Sequence, residues 1–153
     1  MGTNPRTMIL GALPILLSVV LGMGVVAISA PGAEAAVNCT NKSNDWTIER
    51  KYTDAYGRVV PVRCGHWIDG SGWGVVKLKA KGRWSIWYQG MIGATLEHPA
   101  KRWAQDSNTD IYVTAWQTNC NPEYRFRVIV NVSKKKGGSK YMKGVVNAYQ
   151  EFR

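Results

Sequence analysis

Three runs near the end of the chain alternate apolar and polar residues with the period of two that is typical of β-strands. They cover residues 111–116, 125–132 and 143–149, with a turn predicted at 119–122 and a basic loop beginning at 134–138. If the runs pair, one face of the sheet is core and the other is polar, basic and aromatic. The side chains expected on this outer face are Tyr112, Thr114, Trp116, Arg125, Arg127, Asn131, Lys143, Asn147 and Tyr149.

A β-hairpin is predicted earlier, from residues 46–52 and 58–63 around Asp54-Ala55-Tyr56-Gly57. The glycine-rich residues 65–74 predict a loop, whereas residues 75–81 fit a strand and a helix equally well. In either structure the lysines at positions 77 and 81 fall on one side, because a separation of four returns to the same face in both periods.

A helix is predicted to begin after Ser85, which suits an N-cap, and to run to about His98 before Pro99. A polar loop is expected between this helix and the first of the three late strands. The sequence therefore predicts an α+β fold, with one or two helices packed on an antiparallel sheet whose last three strands form a meander. The apolar stripe of the helix is formed by Tyr88, Ile92 and Leu96.

The N-terminus has the pattern of an export signal. An apolar stretch from Met8 to Ile28 precedes Ala33-Glu34-Ala35, which fits an A-x-A cleavage site. Such a stretch can also span a bilayer, but no basic stop-transfer cluster follows it. We therefore expect a bacterial signal peptide over 1–35 and one secreted domain over 36–153, with a loose N-terminal segment over 36–45 and no stable membrane anchor after cleavage.

The charge of the chain favours a polyanionic partner. Twenty Lys and Arg against ten Asp and Glu give a formal net charge of +10, which attracts nucleic acid, anionic envelope polymer or anionic lipid. Solubility alone is the alternative explanation. Seven Trp and seven Tyr against two Phe suit stacking on RNA bases or on sugar rings, as well as packing in a core.

The three cysteines, Cys39, Cys64 and Cys120, allow three single disulfide pairings. The predicted hairpin brings the first two towards the same end, which favours that pair and leaves Cys120 free. The two histidines, His66 and His98, have no carboxylate or cysteine at ligand spacing in the sequence. Each is expected to be a surface or loop residue, and no metal or other cofactor is expected.

Three short segments follow one another in a recognisable order: Trp73-Gly74 with Lys77, Lys81 and Trp84, then residues 86–99, then residues 143–149. Over 72–149 they resemble the toxin-type ribonucleases of the barnase, EndoU and RelE fold. In those relatives the segments read as a His-rich "KH…KHGW" helix, an "I…TL..P" segment and a closing "kGiitAY" strand.

The resemblance implies a site formed by Lys77, Lys81, Asn147 and Tyr149. The two lysines stand about where relatives have catalytic histidines, and Asn147 replaces a threonine. Metal-free RNA cleavage needs a base, a cation and an acid. Either lysine is the candidate base or phosphate clamp, Arg127 the stabilising cation, and Tyr149 the acid or a stacking surface. Further substrate contacts are expected from Arg83, Trp116, Arg125 and Lys143.

The sequence thus predicts a secreted, basic, ribonuclease-toxin-like domain that binds RNA or another polyanion and cleaves RNA by metal-independent transesterification. We expect a monomer, with a cognate immunity protein as a further partner. Three alternatives stay open: a non-catalytic descendant that binds RNA or a partner, a binding module for anionic cell-envelope polymer or glycan, and a cationic inhibitor of an acidic protein.

Overall fold

The computed structural model describes residues 37–133 and 142–153. The predicted signal peptide and the predicted basic loop at 134–138 lie outside the described residues. The helices and strands within the described part are, in chain order, β1 (Ile48–Thr53), β2 (Val59–Arg63), β3 (His66–Ile68), β4 (Ser71–Trp73), α1 (Gly74–Ala80), α2 (Ile86–Glu97), β5 (Lys101–Asp106), β6 (Thr109–Val113), β7 (Tyr124–Asn131) and β8 (Gly144–Phe152).

Six of the described strands form one antiparallel sheet in the order β1-β2-β8-β7-β6-β5, and β3 and β4 form a separate hairpin. The last three strands are neighbours in chain order, so the predicted meander is confirmed. Both helices contribute side chains to the core under the sheet. The predicted α+β class is therefore also confirmed.

The early hairpin forms as predicted, with Thr53 of β1 opposite Val59 of β2. Asp54 organises its turn because one carboxylate oxygen, Oδ1, accepts hydrogen bonds from the backbone N–H groups of Tyr56 and Arg58, each at 2.9 Å. The turn also needs a residue with positive φ, and Gly57 supplies it at +74°.

The long helix α2 also begins and ends where the sequence predicts. The Ser85 hydroxyl accepts a hydrogen bond from the backbone N–H of Tyr88 at 3.3 Å, and the helix ends at Glu97, two residues before the proline. The side chains of Ile92 and Leu96 are fully buried. These contacts fix α2 against the core face of the sheet.

Residues 74–80 form the helix α1, which resolves the ambiguity of that segment. The loop expected at 65–74 is wrong, because the segment contains the β3–β4 hairpin. Its glycines permit this close pairing: a Cβ on Gly72 would lie 1.9 Å from the carbonyl oxygen of His66. The glycines that suggested a loop are therefore the residues that let two short strands approach.

Two expectations about the last third of the sheet are also wrong. The polar loop expected after α2 contains the edge strand β5, which pairs with β6. The run expected at 111–116 ends as a strand at Val113. An edge strand needs only one partner and can remain largely exposed, so the sequence of β5 lacks a clear apolar alternation.

Tyr112 lies on the opposite face from the one expected. It pairs with the core residue Val128 and is fully buried, whereas Ile111 and Val113 point to the other face. Ile111, Tyr112 and Val113 are each at most 4% exposed. A strand that is covered on both faces shows no reliable alternation of apolar and polar residues. The polar hydroxyl of Tyr112 therefore predicts the wrong face.

A buried polar network explains why Tyr112 can lie inside. Its hydroxyl donates to Asp54 Oδ2 at 2.7 Å, and the guanidinium of Arg58 bridges Asp54 and Asp110 at 2.7 and 2.9 Å. Arg102 adds a second bond to Asp110 at 2.7 Å. Burial opposes ionisation of both carboxyls, but these hydrogen bonds outweigh it and hold the pKa of Asp54 and of Asp110 below its ordinary value.

The N-terminal segment is anchored over its described part, residues 37–45, although it contains no helix or strand. The Cys39–Cys64 disulfide favoured by the sequence is confirmed, and Cys120 is free and exposed. The side chain of Asn41 exchanges two hydrogen bonds with the backbone of Trp67, at 3.0 and 2.9 Å. These contacts attach the described residues 37–45 to Cys64 and to the β3–β4 hairpin.

Candidate functional site

Arg127 and Tyr149 share the sheet face that points away from the core. They lie directly opposite each other on β7 and β8, next to the core pair Val128 and Ala148. Arg127 Nη1 donates to the Tyr149 hydroxyl at 3.3 Å, and its guanidinium carbon lies 5.9 Å from the centroid of the phenol ring. The alternation predicted for these two strands thus brings a cation and a phenol together.

A second guanidinium reaches the same ring from the connection between the helices. The backbone N–H of Arg83 donates to the carbonyl of Leu78 at 2.7 Å, which fixes the chain where it leaves α1. The side chain donates to Asn147 Oδ1 at 3.4 Å and lies 5.3 Å from the Tyr149 ring centroid. The phenol is therefore flanked by two arginines from different elements.

Lys77 and Lys81 lie on one side of α1, as expected from their spacing. Their ammonium groups are 5.9 and 4.8 Å from the ring centroid of Trp67. Burial, and then the charges of Arg83 and Lys81, lower the pKa of Lys77 below its ordinary value. We call Lys77, Lys81, Arg83, Arg127, Asn147 and Tyr149 the basic cluster.

A carboxylate that no sequence pattern predicts borders the basic cluster. Arg125 Nε donates to Glu151 Oε2 at 2.5 Å, and Arg127 Nη2 lies 3.0 Å from the same carboxylate. The hydrogen bond from Arg125, followed by the charge of Arg127, holds the pKa of Glu151 below its ordinary value. Glu151 therefore keeps both arginines ordered and offsets part of their charge.

Two tryptophans extend this face. Trp116, predicted from the alternation, lies 4.8 Å from the guanidinium carbon of Arg125 and 4.4 Å from that of Arg153. Trp103 is not among the site residues predicted from the sequence, because its strand, β5, lies where a polar loop is expected. Its ring centroid is 5.7 Å from the Arg127 guanidinium carbon and 5.8 Å from the Lys101 ammonium. Cations thus lie against aromatic rings on either side of the cluster.

Lys143 does not join the basic cluster. Its ammonium lies 5.3 Å from the ring centroid of Trp73, at the base of the β3–β4 hairpin. The register between β7 and β8 shifts, so that Val145 pairs with the core residue Val130. Asn147 pairs with Ile129, whose position in the alternation is on the outer face. One extra residue in a strand reverses the faces beyond it. The uniform alternation assumed for 143–149 therefore fails at this bulge.

His66 has the carboxylate partner that its sequence neighbourhood lacks. Its Nδ1 lies 2.6 Å from Asp45 Oδ2, although 21 residues separate the two in the chain. No sequence spacing indicates this pair, since it depends on the hairpin and on the anchored N-terminal segment. His98 is exposed, and its Nε2 lies 3.9 Å from Glu97 Oε1.

Within residues 37–133 and 142–153, no three His, Cys, Asp or Glu side chains gather as ligands for a metal ion. In the same residues, none of the helices has the length and apolar character needed to cross a membrane.

No family model, curated protein or solved structure matches this chain. The resemblance to toxin-type ribonucleases therefore remains a prediction that depends on three short segments. The function has to be argued from the basic cluster itself.

Proposed function

We propose that the protein is an exported domain that binds RNA at the basic cluster and cleaves it by metal-independent transesterification. The observation that carries the proposal is the convergence of Arg83 and Arg127 on Tyr149. The charge of Arg83 also contributes to the lowered pKa of Lys77, after burial. A phosphodiester needs cations for its oxygens, and its bases stack on aromatic rings. The disulfide supports export, because such bonds persist outside the cytosol.

The proposed reaction moves two protons and exchanges one bond at phosphorus. Lys77, in its neutral form, takes the proton of the ribose 2′-hydroxyl while the 2′-oxygen bonds to phosphorus. Arg83 and Arg127 stabilise the negative charge on the phosphate oxygens. As the bond from phosphorus to the 5′-oxygen breaks, the Tyr149 hydroxyl gives that oxygen a proton. The products are a 2′,3′-cyclic phosphate and a free 5′-hydroxyl.

Lys81, Asn147, Arg125 and Trp116 hold the substrate in this scheme. Lys81 clamps a phosphate, and Asn147 orients Arg83 through their 3.4 Å hydrogen bond. Each phosphate neutralised by a cation releases counterions, so binding weakens as salt rises. The net charge of +10 supports the same salt dependence.

The test is cleavage of a single-stranded RNA, labelled at its 5′ end, by the purified protein in EDTA. We expect cleavage with a 2′,3′-cyclic end, and we expect Lys77→Ala and Tyr149→Phe each to slow it at least about a hundredfold, since general acid or base catalysis contributes about 10²–10⁴. Tyr149→Phe is the sharper variant because the ring remains against both arginines while the proton is removed.

Lys51→Ala is the matched control. Lys51 is exposed on β1, and its loss changes the net charge as Lys77→Ala does. Its cleavage rate should equal that of the original protein. The enzymatic proposal is overturned if RNA stays intact, or if all three variants cleave at the same rate.

A binding module without catalysis is the second candidate. The observation that favours it is that, among the described residues, neither histidine belongs to the basic cluster. Rings flanked by cations would still bind RNA or an anionic envelope polymer. In that case RNA would remain intact, yet its affinity would fall steeply with salt and on Arg83→Ala.

A further inference from the structure

His66 and Asp45 form a hydrogen-bonded pair outside the basic cluster. Their side chains are 37% and 35% exposed, so solvent and solutes reach them. A neutral imidazole that donates from Nδ1 to a carboxylate leaves its Nε2 as an acceptor, and the protonated ring donates from Nε2 as well. No residue within the described part of the chain hydrogen-bonds this Nε2.

Backbone contacts hold this pair in place. The N–H of Gly65 donates to the carbonyl of Asp45 at 3.0 Å, so the carboxylate lies beside the strand that carries the histidine. Arg63 donates to the carbonyls of Trp46 at 2.6 Å and Met142 at 2.9 Å. One buried guanidinium therefore joins the segment that contains the carboxylate to the residue that precedes Lys143.

A second cation borders the same place. Trp73 pairs with His66 across the β3–β4 hairpin and is only 6% exposed. The ring centroid of His66 lies 6.2 Å from that of Trp73, and the Lys143 ammonium lies 5.3 Å from it. Two basic groups from distant parts of the chain thus surround one fixed indole ring.

We propose that His66, Asp45 and Lys143 form an oxyanion site that takes a phosphate group. Protonated His66 donates from Nε2 to one phosphate oxygen, and Lys143 donates from Nζ to another. Asp45 holds the imidazolium in orientation through Nδ1. Among the described residues, Arg63 adds positive charge at this place while it donates to the two carbonyls.

This site does not depend on the proposed RNA cleavage, since it shares no residue with the basic cluster. Its ligand is either a backbone phosphate of RNA or a free phosphate. The two sources of phosphate can be tested separately.

The test follows the imidazole resonances of both histidines by NMR in the intact protein. Sulfate is the first probe, because it is fully ionised near neutral pH. We expect saturable shifts at His66 and no saturable shift at His98. Inorganic phosphate and a short single-stranded RNA without terminal phosphates follow as further probes.

Two variants test the donors one at a time. His66→Gln and Lys143→Gln should each weaken sulfate binding about tenfold, since each removes one charged hydrogen bond. His98→Gln is the matched control and should bind as the original protein does. Thermal unfolding checks that every variant is folded, and Lys143→Gln keeps the test valid if His66→Gln is not.

The outcomes separate the possibilities. If the RNA and the free anions both shift His66, the site accepts either source; if the anions alone do, it takes free phosphate. If sulfate and phosphate leave His66 unshifted, or shift both histidines alike, the proposal is overturned. It also fails if Lys143→Gln binds sulfate as tightly as the original protein. Loss of RNA cleavage in Lys77→Ala affects none of these results.

Discussion

Removal of one hydroxyl group, by Tyr112→Phe, should destabilise the protein far more than the loss of one oxygen atom suggests. The hydroxyl donates to Asp54 Oδ2 at 2.7 Å, and neither side chain is exposed. Hydrogen bonds to charged groups contribute about 1.5–3 kcal/mol. Because Arg58 and two backbone N–H groups continue to bond to Asp54, we expect a loss of about 2 kcal/mol.

The assay is urea unfolding with the disulfide intact. Tyr112→Phe should lower the urea concentration at the unfolding midpoint by roughly 1 M. Tyr88→Phe is the control. Tyr88 packs partly buried against the core, and its hydroxyl has no hydrogen-bond partner within the described part of the chain. Its loss should cost less than about 0.5 kcal/mol.

Acid should remove the difference between the original protein and Tyr112→Phe. The pKa of Asp54 is lower in the folded protein than its unfolded value of about 3.9. Its ionised form therefore stabilises the fold above that unfolded value, and the contribution disappears as the pH falls through the folded pKa. The reasoning is refuted if Tyr112→Phe loses no more than Tyr88→Phe near neutral pH, or if its deficit stays constant below about pH 4.

Three variants and one chemical treatment test further contacts. Gly90→Ala should stabilise the protein by about 0.8 kcal/mol, since a Cβ there meets nothing within 4 Å, whereas Gly93→Ala, whose Cβ would lie 3.0 Å from a tyrosine ring, should destabilise it by about 1 kcal/mol in the same urea assay. Reduction of the Cys39–Cys64 disulfide, which closes a loop of 25 residues, should cost about 3.5 kcal/mol, measured by unfolding with and without reductant; an unchanged midpoint would contradict this. Glu151→Gln should raise RNA affinity about threefold at low salt in fluorescence anisotropy by releasing charge on the two β7 arginines, and an affinity that falls would show that ordering matters more than charge.

Capping and turn residues correctly predict the helix and the hairpin that contain them. Ser85 and the proline at position 99 bound α2, and Asp54 with Gly57 specifies the first hairpin turn. The basic cluster was also largely predictable: Arg127 and Tyr149 follow a plain alternation on strands that pair in register. Each of these features depends only on a residue and its near neighbours in the chain.

The predictions that are wrong concern residues whose positions depend on contacts with distant parts of the chain. Tyr112 is inside because the carboxylate of Asp54, 58 residues away, accepts a hydrogen bond from its hydroxyl. Lys143 leaves the predicted face because a bulge on β8 reverses the alternation. The partner of His66 comes from the N-terminal segment, held there by the disulfide and by backbone bonds. A polar residue in the sequence does not reveal whether a carboxylate will meet it in the fold.

The charged strands at the two margins of the six-stranded sheet have a consequence for how copies of the protein meet. β1 carries Arg50 and Lys51 in exposed positions, and β5 begins with the exposed Lys101. An open margin offers unpaired backbone groups to any passing strand, and basic side chains along it repel an identical copy. The positive charge on which the proposed polyanionic ligand depends therefore also disfavours edge-to-edge pairing of identical copies, which would otherwise extend the sheet into fibres at high protein concentration.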